Sequence, residues 1–450
     1  MTTALPTGSP PAQAEVTYDE ALRMAVSLHR DGRWDGAEKL YRRLLELKPD
    51  DANTLHFLGM LLHQRGQRDE ALALLERSVG IDPAVAAWHN NLGNALLEAG
   101  RGQEAAQAYE RCLDLDPGNL DVMNNLGCML MRLRRYAEAE VALQRVLAHD
   151  PDYADAHFNY ASLLSMVDRL PEAFGHFARA LELRPDEGRT RRLLGIVYAQ
   201  SGRLEEAAAV FRDWLAHEPS SVQARHHLAA VTGQGVPERA PDDYVVDVFD
   251  NFAGSFDERL NALEYQAPRL VGEALLRELG AGGGQLDVLD AGCGTGLCAP
   301  WLTPHARRLT GVDLSPGMLQ QARSRGGYDQ LEAAELTAWL QAHPEAFDVI
   351  VSADTLCYFG RLDEVLAAAA RSLRPGGLLA FTVEALPDDG AAPAAGFQLE
   401  PHGRYSHAAA YVRGVLASEG LAEPRIDAVV LRKEAGKQVT GWLVTARTAA

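Results

Sequence analysis

Residues 286–297 read LDVLDAGCGTGL. The apolar pair Val288-Leu289 predicts a buried strand running into Asp290, then into Gly292, Gly294 and Gly296, and on into a helix. Glycine suits this turn because the loop is tight and its backbone must come close to a ligand. Nicotinamide and flavin domains share a glycine-rich strand–helix turn, so the loop alone does not choose between them. Two details shift the balance. The spacing is G-x-G-x-G, with Leu297 where a dinucleotide fold would want Gly or Ala, and an acidic residue stands just ahead of the loop.

Downstream the pattern continues. Leu309-Thr310-Gly311-Val312 reads as the next strand and ends in Asp313, 21 residues after Gly292. A carboxylate at a strand tip can accept both hydroxyls of a ribose, and Leu314 and Met318 are placed to pack on an adenine. FDVIVSADTLCYF (347–359) predicts a fourth strand with its exit, and LRPGGLLAFTVE (373–384) a turn and a fifth. Strand-like runs alternating with amphipathic helices predict an α/β domain over 243–450. GQGVP at 233–237 breaks the helical period before it, so a linker is expected at 235–242.

Upstream the sequence repeats itself. Pro49, Pro83, Pro117, Pro151, Pro185 and Pro219 stand 34 residues apart. In units beginning at residue 18, the eighth residue is small (Ala25, Gly59, Gly93, Gly127, Ala161, Gly195). The twentieth is always alanine, and the twenty-fourth is bulky (Tyr41, Leu75, Tyr109, Leu143, Phe177, Phe211). Small residues let two helices approach, a bulky one fills the space between units, and proline ends one helix before the next. The first half therefore resembles a tetratricopeptide array: six repeats plus a capping helix over 17–234. Asn91, Asn125 and Asn159 share the sixth position of successive units. They would either offer paired donors and acceptors to an extended peptide in the concave groove or simply solvate a groove helix.

VLDAGCGTG, TGVDLSPGMLQQAR, FDVIVSADTL and LRPGGLLAFTVE together resemble the successive motifs of class I S-adenosylmethionine-dependent methyltransferases. VFDNFAGSFDERLNALEYQAP (248–268) and GRYSHAAAYV (403–412) resemble segments of bacterial methyltransferases that carry tetratricopeptide repeats. The resemblance implies an all-α solenoid followed by an α/β Rossmann-like domain with a mainly parallel, seven-stranded sheet. It implies that Asp290 and the backbone of Gly292, Cys293, Gly294 and Gly296 hold the methionine portion of S-adenosylmethionine, and Asp313 its ribose. Glu335, with Leu336 beside it, would meet the adenine, and Asp354 would face the sulfonium or the acceptor. Phe249, Phe252 and Phe256 would close over the cofactor or pack the domain's first helix.

Methyl transfer from a sulfonium is an in-line displacement on an activated carbon, so aligning the acceptor and excluding water are the main tasks. A carboxylate acceptor needs no base, whereas an alcohol or ammonium must lose a proton. His407, beside Tyr405, is the base candidate ahead of His402, Tyr358 and Glu384. Arg404 would bind an acidic acceptor or pair with a surface carboxylate. The acceptor is expected to be a protein, a peptide or a carrier-bound substrate held by the array. A small-molecule enzyme with docking repeats and an inactive scaffold are the alternatives, with Asp290, the glycines and Asp313 speaking against the last.

Composition narrows the partners. Among 450 residues, 62 acidic against 43 basic give a net charge of −19, which disfavours a nucleic-acid partner. There is no membrane-length apolar run and no secretory signal in residues 1–16, which read as a disordered leader. Five cysteines without CxxC spacing read as reduced, packed thiols with no metal site, in a cytoplasmic protein.

Overall fold

The computed structural model describes residues 16–250, 253–386, 393–434 and 436–449; the leader expected at 1–16 lies, apart from Val16, outside them. Each repeat is a helical hairpin, a 13-residue helix followed by a 14-residue one, such as Ala86–Glu98 and Gly102–Leu115. The twentieth-position alanines are fully buried, as is Tyr109. The bulky twenty-fourth residue does more than fill the gap between units, because it lies across the eighth residue of its own unit. A Cβ added to Gly93 would come within 2.6 Å of the Tyr109 ring, and one on Gly127 within 2.8 Å of Leu143. The small residue and the large one are a single packing decision.

A second signal sits in the turn between the two helices of each hairpin. Gly32, Gly66, Gly100 and Gly202 hold left-handed backbone there, with φ between 74° and 77°. At the same unit position Arg134 and Asp168 hold φ of 59° and 62° without glycine's freedom.

The chain divides into two compact units, Met1–Pro185 and Asp186–Ala450. The sixth repeat (Gly188–Gln200 and Leu204–His217) and the capping helix Val222–Thr232 thus belong to the same compact unit as the sheet, upstream of the 235–242 linker read from the sequence. The reason is apolar. Ala229 and Ala230 of the capping helix share a core with Ala240, Tyr244, Val245, Leu399 and Tyr405. His226 Nε2 meets the Gly403 carbonyl at 2.9 Å, and its ring lies 4.1 Å from that of Tyr244.

The sheet of this unit contains β1 (Leu286–Ala291), β2 (Ala306–Asp313), β3 (Gln330–Ala333), β4 (Phe347–Ser352) and β5 (Leu373–Ala385). It continues through β6 (Phe397–Leu399), β7 (Tyr405–His407), β8 (Leu421–Glu434) and β9 (Lys437–Thr448). Its path is β3-β2-β1-β4-β5-β7-β6, and β9 pairs antiparallel with both β5 and β8. The first five strands are mutually parallel. Two short strands, β6 and β7, are additional to the seven expected. Alternate residues feed two buried layers. Val288, Val349, Val351 and Leu378 lie in one, Leu289, Ile350, Leu379 and Phe381 in the other. Burial on both faces explains why these strands read as continuous apolar runs.

Candidate functional site

The carboxyl ends of β1, β2 and β4 open into one cavity of about 300 Å³, where open parallel sheets bind ligands at the point where strand order reverses. The glycine loop forms one wall. Gly292 has φ of 80°, and a Cβ there would overlap Thr355 Oγ1, so no other residue fits without displacing the β4 exit. Gly292 and Cys293 both donate N–H to the Val312 carbonyl, tying the loop to β2. Asp313 accepts from Gly294 N at 2.8 Å and from Ser315 N at 2.9 Å. Each of its oxygens keeps a lone pair for a ligand hydroxyl. Leu314, Met318, Glu335 and Leu336 line the same end. Glu335 caps the helix Leu336–Gln341, its carboxylate accepting from Thr337 N and Ala338 N.

Asp290 and Gly296 do not line the cavity. Asp290 lies fully buried beneath the loop, with Oδ2 accepting the Tyr328 hydroxyl at 2.6 Å and Oδ1 without a partner. Burial raises its carboxyl to about 7, against the Tyr328 hydrogen bond and with help from the Asp313 charge.

The opposite end is built from side chains. Asp354, at the β4 exit, has a φ of 57°, a strained value for a residue with a Cβ. Its Oδ2 accepts from Arg432 Nη1 at 2.8 Å, while Oδ1 is closed off from water and has no partner. Arg432 also donates Nε to Glu434 at 2.6 Å and Nη2 to Glu384. Arg404 donates to Glu384 at 2.6 Å and to Glu434 at 2.8 Å. Burial pushes Asp354 above its ordinary value although Arg432 opposes it. Burial also pushes Glu384 and Glu434 up, but Arg404 and Arg432 outweigh it; Glu384 ends below its usual range and Glu434 at about 2. His402 is lowered to about 4 by burial and by Arg404.

Over the top, Val248, Phe249, Phe256 and Leu260 supply an apolar wall. Its segment is pinned by carboxylates. Asp257 accepts from Thr295 Oγ1 at 2.5 Å and pairs with Arg325, and Asp250 accepts from Ser315 and from Gly317 N. Phe252 lies outside the described residues.

Residues 289–381 match the methyltransferase-domain family, and residues 17–84, 58–119, 96–165 and 167–231 match tetratricopeptide-repeat families. The chain is a tetratricopeptide-repeat protein with a methyltransferase domain. Over 150 residues it is 33% identical to Methyltransferase-like protein 27 of Homo sapiens, covering 33% of this chain and 60% of that protein. Over 138 residues it is 32% identical to the malonyl-acyl-carrier protein O-methyltransferase of Salmonella typhimurium, covering 31% of this chain and 52% of that one. The chain thus spans only a little over half the length of these relatives. The crystal structure of YrrB, a TPR protein with an unusual peptide-binding site, is similar at 24% identity and a TM-score of 0.36. That likeness covers 41% of this chain and 96% of YrrB.

Within the methyltransferase domain, two catalytic candidates are displaced. His407 is fully buried away from the cavity wall, its Nε2 on the Gly360 carbonyl at 3.1 Å, and burial lowers it to about 4. Tyr405 is also fully buried and donates to the Pro237 carbonyl at 2.8 Å. Both hold the fold: Tyr405 joins the core formed with residues 237–245, and His407 lies against Phe397 and Tyr411. Arg404 pairs with buried Glu384 and half-buried Glu434 rather than with a surface carboxylate. Tyr358 lines the cavity; Glu384 and His402 stand behind it. Arg432, Glu434 and Tyr265 line it as well and were not singled out from the sequence. The signal for the first two was available: Arg432 and Glu434 stand two residues apart directly after the apolar run AVVL at 428–431, a pattern that asks for a buried partner.

In the array, Asn91 Nδ2 lies 3.2 Å from His56 Nε2, and Asn159 Nδ2 donates to Asn124 Oδ1 at 2.9 Å. One amide group of each is therefore used between adjacent repeats.

Proposed function

We propose that the methyltransferase domain moves the methyl group of S-adenosylmethionine, with release of S-adenosylhomocysteine, to an acceptor recruited by the repeat array. That acceptor is a protein, a peptide or a carrier-bound substrate. The observation that carries the reading is the single cavity reaching from Gly292–Thr295 and Asp313 at one end to Asp354 and Arg432 at the other. The residues fit the cofactor. Gly292 admits no Cβ beside Thr355, and Asp313 keeps spare lone pairs at the tip of β2. Bound there, S-adenosylmethionine would supply a methyl carbon already activated by its sulfonium. Asp313 holds the ribose, Leu314 and Met318 the adenine faces, and Glu335 with Leu336 the adenine edge. Phe249, Phe256 and Leu260 exclude water, and Asp354 faces the reacting centre. The carrier-bound form of the acceptor draws on the printed name of the Salmonella relative, and the peptide form on the half-buried Asn91, Asn125 and Asn159.

Calorimetry with S-adenosylhomocysteine tests the cofactor assignment. The wild-type chain is expected to bind it stoichiometrically and not to bind NAD. Asp313→Ala should lose about 1.5–3 kcal/mol of affinity, the worth of hydrogen bonds to a charged partner. Unchanged affinity in that variant sinks the ribose assignment.

A further inference from the structure

The acceptor end of the cavity differs from a carboxylate-binding site in its charge. Asp354, Glu384 and Glu434 face Arg404 and Arg432, and His402 is neutral at pH 7, so this cluster carries one excess negative charge. Arg432 is committed through all three of its nitrogens, and Arg404 through two. What is left open is one carboxylate oxygen, two phenols that can donate or accept, and Arg404 Nη1. Asp354 Oδ1 has no donor and water cannot reach it. The phenols of Tyr265 and Tyr358 line the cavity, and among the described residues neither hydroxyl has a hydrogen-bond partner. A carboxylate placed here would meet an unpaired like charge in a desolvated site. A cation bearing N–H groups would neutralise the excess charge and supply the missing donors. The wall leading to it, Val248, Phe249, Phe256 and Leu260, suits an aliphatic stem.

We propose that this end of the cavity is an amine subsite: it takes the ammonium end of an aliphatic chain, with the charges of Asp354 and Glu434 and the phenols of Tyr265 and Tyr358 around it. The proposal rests on the methyltransferase reading above and names its acceptor. The ammonium gives one proton to solvent before transfer. The nitrogen lone pair then forms the N–C bond as the C–S bond of the sulfonium donor breaks, and that bond's electron pair stays on sulfur. The methylated amine leaves as a cation.

The test uses the full chain with saturating S-adenosylhomocysteine and two probes of equal length, hexylamine and hexanoate, in calorimetric titrations. Hexylamine should bind at least ten-fold more tightly than hexanoate. Asp354→Asn should weaken hexylamine at least ten-fold. Glu434→Gln, at a more exposed and more forgiving position, should weaken it about three-fold on the same charge argument. Tighter binding of hexanoate, no binding of hexylamine, or hexylamine binding indifferent to Glu434→Gln overturns the amine subsite. A chain that fails to bind S-adenosylhomocysteine at all overturns the methyltransferase reading instead.

Discussion

The two ends of the cavity are held by different physics. At the cofactor end the wall is backbone: Gly292, Gly294 and Asp313 lie within two strand–helix turns, and the contacts are N–H groups on one carboxylate and one carbonyl. At the acceptor end the wall is charge. Asp354, Glu384, Arg404, Arg432 and Glu434 come from the β4 exit, β5, the turn before β7 and the end of β8, and each depends on the others to be buried at all. A backbone cradle tolerates almost no change in shape. A charge network tolerates conservative shape changes but fails when one member is removed.

Arg432→Met is the strongest test of that contrast. It leaves three carboxylates around Arg404 and should destabilise the fold by about 3–5 kcal/mol, the cost of an uncompensated buried charge. Chemical unfolding reads this directly, and a loss below 1 kcal/mol means the network is a surface arrangement. In the wild-type chain, Glu434 has a folded value near 2 against an ordinary 4.5. Its contribution is therefore present above about pH 4.5 and is lost as pH falls toward 2.

Gly292→Ala probes the other end. The added methyl overlaps Thr355 Oγ1 on left-handed backbone, so the loop must shift. Affinity for S-adenosylhomocysteine should fall about a hundred-fold, near 2.7 kcal/mol. An effect under three-fold in calorimetry would mean that the cradle is loose.

Asp290→Asn should have the smallest effect on the fold and the opposite sign. Its carboxyl titrates near 7 in the folded chain, against 3.8 for the ordinary group. The folded state therefore holds the extra proton between those values, and stability falls as pH rises across that window. The amide removes that fall and keeps an oxygen for Tyr328, so Tm at pH 8 should rise by a few degrees. An unchanged slope of Tm between pH 4 and 7 would show that Asp290 is solvated.

What the sequence revealed follows the same divide. The glycine loop, Asp313 and the individual strands could be read because each is local, set by spacing within one strand and turn. The repeat could be read because every unit restates it. His407 and Tyr405 misled because residues beside a motif were taken to face its cavity, whereas Tyr405 packs with residues 237–245 and His407 turns to the Gly360 carbonyl. Arg432 and Tyr265 lie far along the chain from Asp354, and only the sheet brings them together.

The capping helix has a consequence for anyone who cuts or fuses this chain. A solenoid normally ends in a helix with a polar outer face, but Val222–Thr232 ends this one with Ala229, Ala230, His226 and His227 turned into the core of the next domain. The methyltransferase domain is in effect the array's lid against water. A seam placed at the Gly/Pro stretch would leave two sticky surfaces, and fragments 1–235 and 243–450 should both aggregate. A seam at 185/186 follows the natural division of contacts, so the exchangeable cassette is the domain together with the last repeat and its cap.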